Sequence, residues 1–239
     1  VSPNLVDDEE INLRDTCRAL AGNLDKYIID NTVVAVSWGN TLNCLAGQIQ
    51  PLKAKDIKVV QLNGGVAKSA SSTGASQIVD ALTMAGHGIG YMFPVPAIVD
   101  SKHTSEILQE ETQVKNVLRL AKEAEVSIFS IGALSKDSIL YEVEYLKDED
   151  FQALEKNKAV GDIASRYFDI NGNIALKELD DRVVGFGLEE LREKEWTIAI
   201  AVGVNKVDAI IGALRAGFMN VLYTDEKTAR EILNRNLLG

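Results

Sequence analysis

The stretch that most constrains the fold of this chain is Val33–Ala46, with the sequence VVAVSWGNTLNCLA. A run of β-branched apolar residues ends in the small polar turn Ser37–Thr41, and an apolar segment with helical spacing follows. This order predicts the strand–loop–helix unit of an α/β fold. The turn would place unpaired N–H groups, a glycine and a threonine hydroxyl at a helix N-terminus, which favours a bound anion.

Strand-like and helix-like segments alternate along the rest of the chain. Further strands are predicted over 58–62, 90–95, 126–131, 196–202 and 221–223, and helices over 9–29, 41–48, 75–85, 105–110, 112–124, 138–146, 148–156, 188–194, 206–216 and 224–234. This alternation predicts an α/β fold with a mostly parallel, Rossmann-like sheet flanked by helices. Several of the strands are continuous apolar runs, as strands buried on both faces are.

One segment departs from this alternation. A strand-like run over Ala164–Ile170 leads into Asn171-Gly172-Asn173, and Asn-Gly is typical of tight hairpin turns. Because Ile174–Ala175 would return from that turn, we expect a small antiparallel insertion carried by the main sheet. The chain has no linker rich in Gly, Ser or Pro, so residues 1–239 are predicted to form a single domain.

Composition excludes some classes of function. The 239 residues carry a net charge of −10 and the sequence pI is about 4.8, whereas contact with a phosphate backbone needs clustered Lys and Arg. We therefore expect no nucleic-acid binding by these residues themselves. The sequence has no apolar run of about 18 residues and no signal peptide, which predicts a soluble, cytoplasmic protein. Cys17 and Cys44 lie in apolar, helix-like settings and are predicted to be buried, reduced thiols.

The loops that follow the strands carry the candidate site, because ligands of open α/β sheets bind beyond the carboxyl ends of the strands. After the first strand, the amides of Gly39 and Asn40 and the hydroxyl of Thr41 could hold a phosphate. The alternative is an ordinary turn in which Asn40 or Thr41 caps the helix. The loop matches neither GxxxxGK[ST] nor GxGxxG, so we expect no nucleotide.

The loop after the second strand is rich in glycine. Asn63, Gly64 and Gly65 would let the backbone approach a ligand closely, and Lys68 follows as a cation. Lys68 could neutralise a phosphate or, if desolvated, form a Schiff base with an open-chain sugar aldehyde. Gln77, on the next helix, could bind a hydroxyl. The alternative is a surface loop with a solvated lysine.

Two later loops are further candidates. The segment Phe93–Ala97, stiffened by two prolines, could form an apolar wall against a sugar ring, or be only a structural turn. Asn205 and Lys206 follow the strand WTIAIAV, and a lysine at a helix N-terminus is unfavourable unless an anion compensates it. Asp162 and Arg166 form a further polar cluster, for which a structural ion pair is the alternative.

Signatures of common catalytic sites are missing from the sequence. It contains no HExxH, CxxC, GxSxG or kinase motif, and the spacing of its carboxylates singles out no acid–base pair. We therefore predict no catalytic residue, no metal site and no cofactor.

Taken in order, the loops resemble those of the effector-binding domain of the SorC family of bacterial transcriptional regulators. The resemblance rests on SWGNTL, NGG, FPVP, VGDIASRYFDINGN and AVGVNKVDAIIGALRAGFMNVLYTDEKTAREIL, and it covers nearly the whole chain. It implies a fold like that of sugar-phosphate isomerases and glucosamine-phosphate deaminases, used to sense a phosphorylated sugar. The ligand contacts that it implies are Gly39, Asn40, Thr41, Gly64, Gly65, Lys206, Lys68 and Gln77. The turn Gly203-Val204 departs from the Gly-Gly that the family often has.

The same resemblance implies partners and an effector. It implies an N-terminal helix–turn–helix domain that binds operator DNA and is missing here, and the start VSPNLVDDEE, which has no methionine, fits that interpretation. A closer likeness within the family favours deoxyribose 5-phosphate, whose open aldehyde could form an imine with Lys68. We also expect a homo-oligomer, a dimer or tetramer, because regulators match symmetric operators.

The alternative function is an enzyme of the same architecture, a sugar-phosphate isomerase or deaminase. Fold alone does not separate the two functions. An isomerase needs a positioned general base, and the strand-end loops carry Gly, Asn, Thr, Ser and Lys, with Asp162 as the one near candidate. The sequence therefore favours a sensor over an enzyme.

Overall fold

A parallel sheet of six strands forms the centre of the molecule in the computed structural model, which describes residues 1–4, 6–66 and 75–237. The strands are β1 Val33–Val36, β2 Lys58–Gln61, β3 Ile89–Tyr91, β4 Val126–Ser130, β8 Trp196–Ile200 and β9 Val221–Tyr223. The strand order is β3-β2-β1-β4-β8-β9, and every neighbouring pair is parallel. The predicted α/β fold with a mostly parallel sheet is confirmed.

Helices cover both faces of this sheet. They are α1 Glu9–Ala21, α2 Asn40–Ala46, α3 Ala75–Ala85, α4 Lys102–Glu110, α5 Thr112–Glu123, α6 Ile139–Glu142, α7 Asp148–Lys156, α8 Lys177–Asp180, α9 Val207–Arg215 and α10 Glu226–Leu237. Short 3₁₀ turns occupy Leu24–Lys26, Leu188–Glu193 and Val204–Lys206. None of the helices in the described residues is long and apolar enough to cross a membrane.

The first helix is shorter than its apolar periodicity predicts. Asp8 caps it by accepting a hydrogen bond from the Ile11 amide at 3.0 Å. Its last residue is Ala21, because the Asn23 amide donates to the Leu20 carbonyl three residues back, while the Asn23 side chain takes the Ala19 carbonyl at 2.7 Å. The predicted helix to Ile29 is therefore wrong beyond this point, although the apolar spacing continues.

A second, antiparallel sheet forms the insertion. Its strands are β5 Gly132–Ala133, β6 Ala159–Ile163 and β7 Arg166–Asp169, in the order β5-β6-β7. The tight hairpin turn is Ala164-Ser165, where both residues have positive φ, of 51° and 70°. This turn lacks the Asn-Gly dipeptide, so the hairpin turn was predicted after β7 and not, as found, between β6 and β7. The turn around Gly172 does form, but its return is the single bridge between Phe168 and Ile174.

Apolar side chains of the central strands point alternately to the two faces. Ala35 and Phe129 pack into one buried cluster with α5 and α9, whereas Val34 and Ile128 pack into the other with α1, α2 and α3. Both faces of the central sheet are therefore buried, which explains why its strands are continuous apolar runs in the sequence. A third cluster lies beneath the insertion and includes Trp38 at its border.

Candidate functional site

A cleft opens at the carboxyl ends of β1 and β4. The chain runs from β1 outward to β3 on one side and from β4 outward to β9 on the other, so the strand order reverses between these two strands. Ligands of open α/β sheets bind at such a switch point. The cleft has a volume of about 290 Å³. Its polar lining comes from four regions of the chain: Ser37, Gly39, Asn40, Thr41, Asn63, Ser130, Ser135, Asp137, Ser138, Asp162, Ser165, Asn205 and Lys206.

Gly39 makes the turn from β1 into α2. Its φ is +127° and its ψ is 175°, a conformation that residues with a Cβ rarely adopt. No side chain caps α2, and the Asn43 amide donates to the Gly39 carbonyl at 2.9 Å. The amides that open a helix have no partner within it, so those of Asn40 and Thr41 can serve a ligand. The residues predicted for the first loop thus line the cleft.

Lys206 supplies the positive charge, and it is the one cation among the described residues that line the cleft. It closes the 3₁₀ turn Val204–Lys206, where its amide donates to the Gly203 carbonyl at 3.1 Å. Burial lowers the pKa of the Lys206 ammonium, and the nearby carboxylates of Glu9 and Asp162 act in the opposite direction. A half-buried ammonium ion favours an anion that replaces its lost hydration. Asn205 lies beside it on the same turn.

Asp162 brings a carboxyl group to the same cleft from β6. Burial raises its pKa to about 6, while a hydrogen bond from the Ser165 amide (3.1 Å) and the charge of Lys206 oppose the shift. The group therefore changes charge near neutral pH. A carboxyl and an ammonium group that line the same cleft can bind a ligand that has both hydroxyls and an anionic group.

Asn63 lies on the floor of the cleft and is 1% exposed. Its side-chain amide donates to the Ser165 hydroxyl at 3.1 Å, whereas its Oδ1 has no partner among the described residues. A buried acceptor without a donor is costly. A ligand hydroxyl or a water molecule that donates to this oxygen would remove that cost.

Serine hydroxyls make up much of the remaining lining, and the sequence did not single them out. Ser130 ends β4, and the rule used for the other strand-end loops would have found it. Ser135 and Ser138 reach the cleft from the segment before α6, for which the sequence carries no signal. Hydroxyls both donate and accept hydrogen bonds, which suits the hydroxyls of a sugar.

The glycine pair of the second loop is engaged with the protein itself. The Gly64 amide donates to the Val184 carbonyl at 3.1 Å and the Gly65 amide to the Val95 carbonyl at 3.0 Å. A Cβ on Gly64 would lie 2.4 Å from the Pro96 carbonyl oxygen, so the close packing against Pro96 requires a glycine at this position. Neither glycine lines the cleft. Their contact with a ligand stays a prediction.

Other predicted site residues lie elsewhere. Lys68 lies outside the described residues, and its predicted Schiff base stays a prediction. Gln77 is exposed on the first turn of α3 and does not line the cleft. Phe93 is 4% exposed and belongs to the core, and none of the residues 93–97, predicted to form an apolar wall, lines the cleft.

Arg166 has a structural role, with a partner other than Asp162. Its guanidinium group donates to the Asp180 carboxylate at 2.6 Å and to the carbonyls of Asp180, Gly185 and Phe186. Arg166 therefore forms a structural ion pair, as the alternative for this cluster had it, but the partner is Asp180 and the pairing with Asp162 is wrong. These hydrogen bonds hold residues 180–186 in place. Gly185 in turn forms an isolated β-bridge with Asn63, so Arg166 also supports the position of Asn63.

Metal chemistry finds no support in this geometry. Across residues 1–4, 6–66 and 75–237, no group of three or more His, Cys, Asp or Glu side chains could hold a metal ion. What the cleft offers is one ammonium group, one carboxyl group of raised pKa, an amide, several hydroxyls and open helix amides. That set suits a small, polyhydroxylated anion.

Comparison with known proteins identifies the class to which this fold and cleft belong. The model of the sugar-binding domain family, Sugar-bind, matches residues 1–234. The chain therefore belongs to this family, whose members found here are transcriptional regulators of the SorC and DeoR type. The predicted resemblance is confirmed.

Particular relatives show how close the likeness is. The chain is 33% identical over 220 residues to the deoxyribonucleoside regulator of Bacillus subtilis (strain 168), which covers 92% of this chain and 70% of the relative. It is 31% identical over 208 residues to the transcriptional regulator LsrR of Escherichia coli (strain K12), covering 84% of this chain and 62% of LsrR. The solved structure of a DeoR family transcriptional regulator from Listeria monocytogenes superposes with a TM-score of 0.88 at 27% identity, covering 97% and 92% of the two chains.

Proposed function

We propose that this chain is the effector-binding module of a transcriptional regulator and that its effector is a phosphorylated sugar bound in the cleft between β1 and β4. The proposal rests on one observation. Lys206 lines the same cleft as Asn40 and Thr41, whose backbone amides begin α2 without a side-chain cap. Together they would hold a phosphate group. Asp162, Asn63 and the serine hydroxyls would then read the hydroxyls of the sugar.

The charge of the cleft favours one phosphate group over two. Among its described lining residues Lys206 is the one cation, and Asp137 and Asp162 add carboxyl groups. A volume of about 290 Å³ suits a pentose or hexose phosphate. The name of the Bacillus subtilis relative adds support for a deoxyribose derivative, and deoxyribose 5-phosphate is the effector that we propose.

We further propose a covalent variant of this binding. Deoxyribose 5-phosphate has an accessible open aldehyde, and the amine of Lys68 could add to it and lose water to give an imine. Reduction with borohydride in the presence of the sugar, followed by peptide mass measurement, tests this step. The added mass of the reduced sugar on Lys68 supports it, and ligand binding without any trapped adduct would leave only the non-covalent proposal.

Sensing requires only that the ligand bind one conformation better than another. DNA binding would lie in a helix–turn–helix domain outside these residues, and the chain spans 62% and 70% of the two curated relatives described above. A homo-oligomer, in the cytoplasm, that matches a symmetric operator completes the proposal.

The enzyme alternative rests on one observation. Asp162 lines the cleft with a pKa of about 6, as a general base would. The two curated relatives described above are named as regulators, which supports sensing instead. Incubation of the purified chain with ribose, deoxyribose and glucosamine phosphates separates the two functions, since turnover by the chain would establish an enzyme.

A thermal-shift screen tests the proposal as a whole. The purified chain is heated with deoxyribose 5-phosphate, ribose 5-phosphate, glucosamine 6-phosphate, the unphosphorylated sugars and inorganic phosphate. A ligand at 100 times its dissociation constant adds about 2.7 kcal/mol of stability. We expect a rise in Tm with one or more sugar phosphates and none with the free sugars. Equal shifts with sugars and sugar phosphates would contradict a phosphate site.

A further inference from the structure

The two cysteines of the chain lie across the contact between α1 and α2. Cys17 is fully buried, and its Sγ–H donates to the Thr41 carbonyl oxygen at 3.7 Å. Cys44 lies one helical turn after Thr41 on α2, in the direction in which the Thr41 carbonyl points, so its thiol is a neighbour of the Cys17 thiol. Both thiols are free, and Cys44 is half-buried whereas Cys17 is inaccessible. The predicted reduced thiols are thus neighbours of the cleft wall.

The electrostatic surroundings separate the two thiols. Glu10, Arg14 and Cys17 are spaced by four and three residues and lie on the face of α1 that meets Cys44. The Cys17 thiol, which can donate to a Cys44 thiolate in place of the Thr41 carbonyl, lowers the pKa of Cys44 to about 7; Arg14 also lowers it, while burial and Glu10 oppose. The same hydrogen bond and burial raise the pKa of Cys17 far above its ordinary value, against the charge of Lys206. Cys44 is therefore the thiol that ionises.

We propose that Cys44 is a modification site for peroxides and that oxidation joins it to Cys17 in a disulfide. The Cys44 thiolate attacks one oxygen of hydrogen peroxide, the O–O bond breaks, and hydroxide leaves, giving a sulfenic acid. The Cys17 sulfur then attacks the Cys44 sulfur. The S–S bond forms, the S–O bond breaks, and the Cys17 proton leaves with the hydroxyl group as water. Peroxide gains two electrons, and the two thiols lose them.

The disulfide would act on the cleft through α2, a step that rests on the proposed function. Forming it removes the Cys17 thiol proton, which the Thr41 carbonyl accepts in the reduced protein. It also ties α2 to α1 next to the turn at Gly39 and Asn40 that lines the cleft. Oxidation therefore weakens sugar-phosphate binding, by at least about fivefold as is typical of coupled sites.

The covalent step has its own test, which does not depend on any ligand. The reduced 239-residue chain is treated with hydrogen peroxide, and intact mass and peptide maps are recorded before and after dithiothreitol. We expect loss of the mass of two hydrogen atoms and one cross-linked peptide joining Cys17 to Cys44, both reversed by the reductant. The chain has no other cysteine, so C17S and C44S each abolish the cross-link. Untouched thiols, or sulfinic acid on Cys44 without a cross-link, overturn the proposal.

The coupling to the cleft is measured by titrating deoxyribose 5-phosphate into the reduced and the oxidised chain. The double variant C17A/C44A is the matched control, and its affinity should not respond to peroxide. A disulfide that leaves the affinity unchanged overturns the coupling. If neither form binds the sugar phosphate but the cross-link forms, the failure lies with the proposed effector, and the modification site stands.

Discussion

The indole N–H of Trp38 donates to the Gly64 carbonyl oxygen at 2.8 Å, joining the loop after β1 to the loop after β2. Gly64 is itself fixed by the Val184 carbonyl and by the close approach of Pro96. The cleft turn at Gly39 follows Trp38 directly. The shape of the turn at Gly39 thus depends on Gly64, a residue that does not itself line the cleft.

Replacing Trp38 by phenylalanine tests this connection. The variant keeps an aromatic side chain but loses the donor, which leaves the Gly64 carbonyl without that partner. We expect the free energy of unfolding to fall by about 1 kcal/mol, and the Gly64 amide to exchange faster with solvent. Urea unfolding and hydrogen exchange measure the two effects, and an unchanged exchange rate would show that the bond does not hold the loop.

Gly39→Ala should destabilise the chain by about 1 to 3 kcal/mol, because φ near +127° is strained for any residue with a Cβ. Gly65→Ala is the matched control. A Cβ there meets nothing within 4 Å, and its φ is not positive. Thermal unfolding of both variants checks the difference. Equal losses at the two positions would mean that the backbone of Gly39 is not the cause.

Arg166→Met should lower the free energy of unfolding by about 3 to 5 kcal/mol, because it leaves three carbonyls without their donor and the partly buried Asp180 carboxylate with only Lys177, at 3.7 Å. Arg18→Met removes an exposed pair with Asp15 and should change stability by less than about 1 kcal/mol. Denaturant unfolding of the two variants provides the comparison. A small effect at Arg166 would contradict its structural role.

Asp162 should make stability depend on pH. Its folded pKa of about 6 lies above the ordinary value of 3.8, so its favourable contribution is complete below the ordinary value and is lost as the pH rises through 6. Asp162→Asn has no buried charge at high pH. We therefore expect the variant to gain Tm relative to the unmodified chain at pH 7.5 and to gain clearly less at pH 5, where part of the Asp162 contribution remains. A difference that is the same at both pH values would contradict the raised pKa.

The sheet and most helices were predictable because their signals are local. The helix Ala75–Ala85 and the strand Val221–Tyr223 begin and end as predicted. The third strand was predicted to reach Val95 but ends at Tyr91, because the Phe93 amide donates to the Gln61 side chain at 2.7 Å instead of to the neighbouring strand. The predicted helix over 138–146 shrinks to Ile139–Glu142, and Glu144 takes a positive φ of 64°. Residues 143–146 include no glycine or proline that would have predicted the end of the helix at Glu142.

Only the part of the candidate site that lies on loops directly after strands could be predicted from the sequence. Gly39 and Lys206 followed from the rule that ligands bind beyond the strand ends, and both line the cleft. Ser138 and Ser165 arrive from the segment before α6 and from the insertion, which fold over the sheet through tertiary packing. Spacing along the chain cannot reveal such contacts.

The most direct test of the proposed sugar-phosphate site is calorimetric titration of deoxyribose 5-phosphate into the unmodified chain, Lys206→Met and Lys58→Met. Lys58 is an exposed lysine at the start of β2, away from the cleft, and serves as the matched control. We predict that Lys58→Met binds as the unmodified chain does and that Lys206→Met loses at least about tenfold in affinity, as expected for a charge-assisted hydrogen bond worth 1.5–3 kcal/mol. Undiminished affinity in Lys206→Met would contradict the site.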